Sequence, residues 1–241
     1  MGIPYEFYSK SYWKYQKMST ETKPFTWSYS RLRNFETCPR RSYHYDIARD
    51  IVEEESDQLK AGNDLHRAFD SRISKGTGLP LGLMHHEPLL DAIVRAPGDT
   101  HSEQKLALTS SFSPVGYFGR NVWFRTVIDA AKIQGDNATV FDWKTGKPSN
   151  DLTQLNLIAV TLFHHMPRLE RVKAALLFVN HGVSEKATYT RADVTPIWSE
   201  ILPRVKRLEK AREDDDYPPK PSGLCKRFCG ITSCEYHGRG A

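Results

Sequence analysis

The sequence predicts an α/β domain in which a mixed central sheet is flanked by helices, and three observations carry that prediction. Two strand-like runs, Val127-Ile128-Asp129-Ala130-Ala131 and Thr139-Val140-Phe141-Asp142-Trp143-Lys144, follow one another with a short polar turn between them. Val172 to Asn180 is almost continuously apolar, as expected of a strand covered on both faces of a sheet. Helix-period segments stand on either side: 57–75 turns Leu65, Phe69 and Ile73 inward, and 151–165 does the same with Leu155, Ile158, Ala159 and Leu162.

The remaining elements follow in order. Residues 1–24, polar and aromatic with Tyr12, Trp13 and Tyr15 among lysines, read as an irregular arm. Residues 25–241 read as a single domain. Ser28 is a side-chain cap for a first helix that buries Leu32 and Phe35 until Pro39 interrupts it. A Gly/Pro-rich connection, 76–100, surrounds a short helix from Pro88 to Arg95. Strands are expected near 102–109, 122–133 and 138–145, with an edge strand at 187–191. A long basic helix over 193–213 ends at Glu213-Asp214-Asp215-Asp216 and Pro218-Pro219. Residues 222–238 hold three of the four cysteines.

Composition bounds the class. At 241 residues, 39% hydrophobic and 26% charged, the chain can bury a sizeable core. Its longest apolar run, Ala174 to Val179, is far too short to span a bilayer, so no membrane partner is expected. The N-terminus has no apolar signal core, and Glu6 spoils a myristoylation pattern. A cytoplasmic, reducing setting follows, where cysteines are metal ligands more often than disulfides. The formal charge of +5 fits a polyanionic partner without demanding one.

The chemistry starts at Asp142-Trp143-Lys144. Alternation along a strand sends Asp142 and Lys144 to one face. If the 122–133 strand pairs alongside, Asp129 joins them. Two hard carboxylates and an ammonium then converge at a sheet end, a set suited to a divalent cation and to water activation. Taken alone, an Asp and a Lys ahead of Thr145-Gly146-Lys147-Pro148 also read as the solvated start of a turn.

The wider order settles which reading is carried forward. It runs helix with His66, strand with Glu103, strand with Asp129, strand with Asp142-x-Lys144, helix with Gln154. This order resembles the PD-(D/E)XK nuclease superfamily. The segment from Ser28 to Tyr43 around Cys38, with Cys225, Cys229 and Cys234 at the other end, resembles its RecB-like iron–sulfur branch. That branch includes CRISPR-associated and AddB-like exonucleases and stand-alone phage enzymes. The resemblance runs from about Phe25 to His237.

It implies a restriction-endonuclease-like core whose first helix and C-terminal tail are joined by a metal cluster. Asp129, Asp142, the Trp143 carbonyl and His66 would bind Mg²⁺ or Mn²⁺. Lys144 would orient water or stabilise the transition state, Glu103 would help hold metal or water, and Gln154 would contact substrate or the lysine. His66 read without the family is a helix-edge histidine, and Glu103 an ordinary strand glutamate. Ile158 departs from the family, which carries an aromatic four residues after the glutamine, so no stacking or hydroxyl role is expected there.

Four thiolates suit either a [4Fe-4S] cluster or tetrahedral zinc. The resemblance implies the cluster, on Cys38, Cys225, Cys229 and Cys234. The late spacing departs from it, with three and four intervening residues where relatives show two and five, and His237 is near enough to serve a zinc site. Arg40, Arg41, Arg204, Lys206, Arg207 and Lys210 are candidates for following DNA phosphates, or simply solvated faces. His85-His86 and His164-His165 read as surface or core residues, because adjacent side chains diverge on a helix. Asn137-Ala138-Thr139 reads as a turn before a strand.

The function expected is that of a metal-dependent DNA exonuclease of recombination and repair, phage or bacterial, acting on single-stranded or end-bearing DNA. The alternatives are a structure-specific endonuclease and a non-catalytic DNA-binding or assembly subunit of a recombination complex. No G-x-x-x-x-G-K-[ST] loop is present, so a helicase, recombinase or annealing protein would be a partner that brings the motor or the strand.

Overall fold

The computed structural model describes residues 25–51 and 56–239, and the arm expected at 1–24 lies outside the described residues. Its sheet has six strands: β1 (Asp99–Leu108), β2 (Pro114–Val115), β3 (Phe124–Gln134), β4 (Asn137–Lys144), β5 (Arg171–Phe178) and β6 (Val183–Thr190). They lie in the order β2-β1-β3-β4-β5-β6. Every neighbouring pair is antiparallel except β4 and β5, which run parallel. Parallel neighbours need a crossover, and the helix at Thr153–His165 supplies it.

Among the described residues six α-helices surround the sheet: α1 (Tyr29–Thr37), α2 (Pro39–Ser42), α3 (Asp57–Lys75), α4 (Glu87–Arg95), α5 (Thr153–His165) and α6 (Val194–Asp214). Ser28 caps α1 by accepting from the Arg31 amide, and Leu32 and Phe35 are its buried residues, as expected. Pro39 ends α1 but also opens α2 at a first-turn position, where its missing N–H costs nothing. A π-helical turn, Tyr43–Ala48, follows. The α3 bounds match the periodic segment, with Ser56 as cap and Gly76 in the left-handed region at its end, although Ile73 is only half-buried.

Two apolar clusters sandwich the sheet. The larger joins α1, α5 and α6 to residues such as Ile128, Ala131, Ala138 and Val140. The smaller joins Leu65 and Phe69 of α3 and Leu90 and Ile93 of α4 to Trp143 and Ala130. β4 therefore sends Ala138 and Val140 to one side and Trp143 to the other, and alternation puts Asp142 and Lys144 on the α5 side.

Several boundaries differ from expectation for local reasons. β1 starts at Asp99, because the polar Asp99 to Ser102 pairs with Ile133 to Ala130 despite carrying no apolar signal. β6 pairs along its whole length with β5 from Val183, where an edge strand was expected only from 187. α5 is not amphipathic: Leu157, Val160, Thr161 and Phe163 are buried along with the predicted stripe. A crossover helix packed between the sheet, α1 and α6 has no free face. The short β2 was not anticipated from the sequence.

Candidate active site

The two predicted strands pair in register from Gln134↔Asn137 to Ala130↔Phe141. One step further the ladder opens. The Trp143 amide donates to Asp129 Oδ2 at 2.8 Å, so the carboxylate takes a main-chain donor at the point where the strands part. That bond holds Asp129 still and leaves Oδ1 directed at His66, whose Nδ1 is 3.4 Å away. Asp129 is 9% and Asp142 1% exposed.

Asp142, Lys144 and Gln154 form a closed triangle. Lys144 Nζ lies 2.5 Å from Asp142 Oδ2 and donates to Gln154 Oε1 at 2.8 Å. Gln154 Nε2 donates to Asp142 Oδ1 at 2.6 Å. Gln154 stands in the first turn of α5, so the crossover that allows β4 and β5 to run parallel also delivers it. Asp142 Oδ2 has only the ammonium beside it and no aligned hydrogen bond. Burial, and then the neighbouring Asp129 carboxylate, push the Asp142 carboxyl well above the usual range.

His66 comes from α3 on the far side. Gly62, one turn earlier, sits where a Cβ would lie 3.2 Å from Thr145 Oγ1. Glycine there lets α3 approach the end of β4. The hydrogen bond to Asp129 raises the His66 pKa against the opposing pull of burial.

Glu103 lies opposite Asp129 in the β1–β3 register, between the pairs Ser102↔Ala130 and Gln104↔Ile128. It takes φ +46, a left-handed value in the middle of a strand. Such strain in a non-glycine residue persists only where surrounding structure imposes it, and it collects at functional sites. Burial, followed by the Asp129 charge, pushes its carboxyl up. Ligand atoms of His66, Glu103 and Asp129 all lie within 4.8 Å of one another, the only such set among the described residues. An imidazole with two carboxylates is a donor set for a divalent cation of the Mg²⁺ or Mn²⁺ class. Asp142, whose Oδ2 is ion-paired with Lys144, lies outside this set.

His66, Asp129, Asp142, Lys144 and Gln154 line an open cleft of about 830 Å³. The cations on its wall are other than those singled out in the sequence. Arg33 of α1, Arg125 of β3 and Lys147 of the turn after β4 line it, with Tyr29 and Tyr117. Trp27 brings α1 here, exchanging main-chain hydrogen bonds with Trp123 (2.9 Å) and Arg125 (3.0 Å). Arg204 spends its guanidinium on Glu36, with bonds of 2.8 and 2.7 Å, and so joins α6 to α1. Lys210 pairs with Asp214 at 2.7 Å, while Lys206 and Arg207 are exposed on α6. Arg40 lines a second, smaller hollow beside Cys234, and Arg41 stacks over Tyr45. Of the missed residues, Lys147 had a signal in the turn directly after D-x-K. Arg33 and Arg125 had none, because their place depends on the Trp27 bridge.

All four cysteines are free and half-buried. The tail does return to the first helix: Lys220 Nζ donates to the Glu36 carbonyl at 2.6 Å and its amide to Cys38 Sγ at 3.4 Å. The sulfurs themselves do not converge, since no three lie within 4.8 Å of one another. Four thiolates about 2.3 Å from one zinc would be closer than that. The joined cluster expected from the sequence is thus not formed by this arrangement of side chains.

The profile of the PD-(D/E)XK nuclease superfamily matches residues 88–239. The chain belongs to that superfamily. The matched span holds Glu103, Asp129, Asp142, Lys144 and Gln154, while His66 and Cys38 lie outside it. A presumed exonuclease of Eubacterium rectale shares the fold at a TM-score of 0.53, with 11% identity over 95% of this chain and 94% of that one. The solved structure of SSO0001 aligns at a TM-score of 0.47, with 14% identity over 92% and 91%. No curated protein matches. As a PD-(D/E)XK fold, the mixed sheet presents Asp142-x-Lys144 at the open end of β4. Among the described residues no helix is long and apolar enough to cross a membrane.

Proposed function

We propose that this chain is a metal-dependent deoxyribonuclease that degrades DNA from ends, with single-stranded DNA as its preferred substrate. The observation that carries the reading is the convergence of His66, Glu103 and Asp129, two of which line the cleft together with Asp142, Lys144 and Gln154. Mg²⁺ or Mn²⁺ bound there would activate water and neutralise charge on the scissile phosphate. Asp129, Asp142, His66, Glu103 and the Trp143 carbonyl are the residues that would hold it.

The protein's own groups do the rest. Asp129 is fixed by the Trp143 amide, so it can hold a cation without moving. Lys144, donating to Gln154 and ion-paired with Asp142, is held at a set place, which suits steering of water or stabilisation of the charged transition state. Gln154 keeps Lys144 and Asp142 in mutual register. Arg33 and Lys147 on the cleft wall would bind flanking phosphates.

A time course with Mn²⁺ on linear and circular single-stranded DNA, each labelled at a known position, tests the reading. Release of mononucleotides or short oligomers from one end of linear DNA, with circles intact, is the expected result. Cut circles would make the enzyme a structure-specific endonuclease, and no cleavage of either, with DNA still bound, would leave a non-catalytic binding subunit.

A [4Fe-4S] cluster on Cys38, Cys225, Cys229 and Cys234 belongs to the same proposal. It is supported by the cysteine layout and by the amides of Lys220 and Ser222, each 3.4 Å from a cysteine sulfur. It requires the sulfurs to draw together on loading. Protein purified without oxygen should be brown with about four irons per chain; a colourless preparation holding one zinc would replace the cluster with zinc.

A further inference from the structure

The loop between β1 and β3 carries a feature that hydrolysis does not use. Gly116-Tyr117-Phe118-Gly119 closes a tight turn, in which the Gly119 amide donates to the Gly116 carbonyl at 2.7 Å. A Cβ on Gly119 would lie 2.9 Å from that carbonyl and 3.0 Å from Val115 Cγ2, so the turn can close this tightly only with glycine. The two residues at its apex are both aromatic. Their rings pack edge to face with centroids 5.0 Å apart. Phe118 is 80% exposed, an unusual place to leave a large apolar ring, while Tyr117 lines the active cleft.

Cations surround the pair. The Arg125 guanidinium stands over the Tyr117 ring at 5.2 Å, and Lys105 Nζ lies about 6 Å from both rings. Arg125 Nε is buried without a hydrogen-bond partner among the described residues. Arg125 and Asp129 are four residues apart on β3, hence on one face and about 13 Å apart along the strand. At about 3.4 Å per nucleotide of a stacked strand, that is the length of roughly four nucleotides.

We infer that Tyr117 and Phe118 form a stacking platform for an unpaired nucleobase of the substrate strand, within about four nucleotides of the scissile bond, with Arg125 and Lys105 taking the adjoining phosphates. Exposed aromatic rings interleaved with cations are what single-strand binding requires, because any base can offer its face to a ring while its phosphate meets a cation. A base pair cannot enter such a stack without opening, so the platform gives the site its preference for single strands. The inference rests on the reading of this cleft as a DNA-cutting site and adds where the strand lies.

Two measurements separate it from that reading. First, an oligodeoxynucleotide with 2-aminopurine placed in turn at each of the first six positions is titrated with full-length protein in Ca²⁺. Fluorescence should be quenched at one or two neighbouring positions, and the Tyr117→Ala/Phe118→Ala double variant should lose the quenching while Phe118→Trp keeps it. Second, with Mn²⁺, the double variant should raise KM for single-stranded DNA about tenfold or more and leave KM for duplex ends little changed. An abasic residue at the quenched position should cost the wild type the same factor and cost the double variant nothing further. Equal quenching in wild type and double variant, or full additivity of the abasic and protein changes, would overturn the platform while leaving the nuclease reading intact. Absence of cleavage with position-specific quenching retained would do the reverse.

Discussion

Gln154 illustrates how one side chain can decide the state of two others. Its amide donates a hydrogen bond to Asp142 Oδ1 and accepts one from Lys144, so it holds a buried carboxylate and the lysine in fixed relation. Replacing it by leucine leaves a buried Asp142 oxygen without its donor, a change that costs about 1–3 kcal/mol of stability. Lys144→Ala acts differently. It removes charge placed for the transition state and should lower kcat by about 10²–10³-fold, with DNA affinity and folding nearly kept. Asp142→Asn should behave like Lys144→Ala, and chelation by EDTA should silence the wild type to the same level. The check is single-turnover cleavage beside thermal unfolding of each variant. Near wild-type turnover by Lys144→Ala at saturating Mn²⁺ would remove the lysine from the mechanism.

At the scale of elements, α5 is the piece on which most depends, and its far end makes a separate prediction. His164 stacks on Phe112 at 5.6 Å and accepts from Trp198 Nε1 at 3.3 Å, which needs a neutral ring nitrogen. Burial lowers its pKa, and His165 and Arg191 beside it push the same way. The unfolded chain, near 6.5, therefore takes up this proton before the folded one does. The stability it contributes is present above about 6.5 and is lost as pH falls toward the lowered folded value. Melting temperature should drop between pH 7.5 and 5.5, and His164→Gln should show a shallower drop; an equal drop in both would exclude His164 as a source.

The same helix marks the limit of what the sequence disclosed. Its apolar stripe located it within two residues, but the burial of its other faces comes from α1 and α6 meeting over it, which no local period encodes. Likewise Asp142-x-Lys144, Asp129 and Gln154 were legible because strand alternation and one turn of helix bring them together. The strained Glu103 backbone was not, since it arises from a register that β3 imposes.

At the scale of the whole molecule, the basic helix singled out in the sequence and the cations that line the cleft are different groups. The basic helix α6 offers many cations, yet Arg204 is committed to Glu36 and Lys210 to Asp214, so two of its charges already serve the fold. Besides Lys144, the cations that line the cleft are Arg33, Arg125 and Lys147, contributed by three different elements. Phosphate contacts release condensed counterions, giving a log–log dependence of affinity on salt of about −0.7 per contact for a single strand. Neutralising Arg33, Arg125 and Lys147 together to glutamine should therefore flatten the slope by up to about 2 and weaken binding at low salt most. Neutralising Arg204 should lower stability through the broken α1–α6 clamp while leaving the slope nearly as it was. Binding of a labelled single-stranded oligomer between 50 and 300 mM salt, in Ca²⁺ so that nothing is cut, gives both slopes. A flattening caused by Arg204, with none from the cleft triple, would place the DNA along α6 and away from the carboxylates.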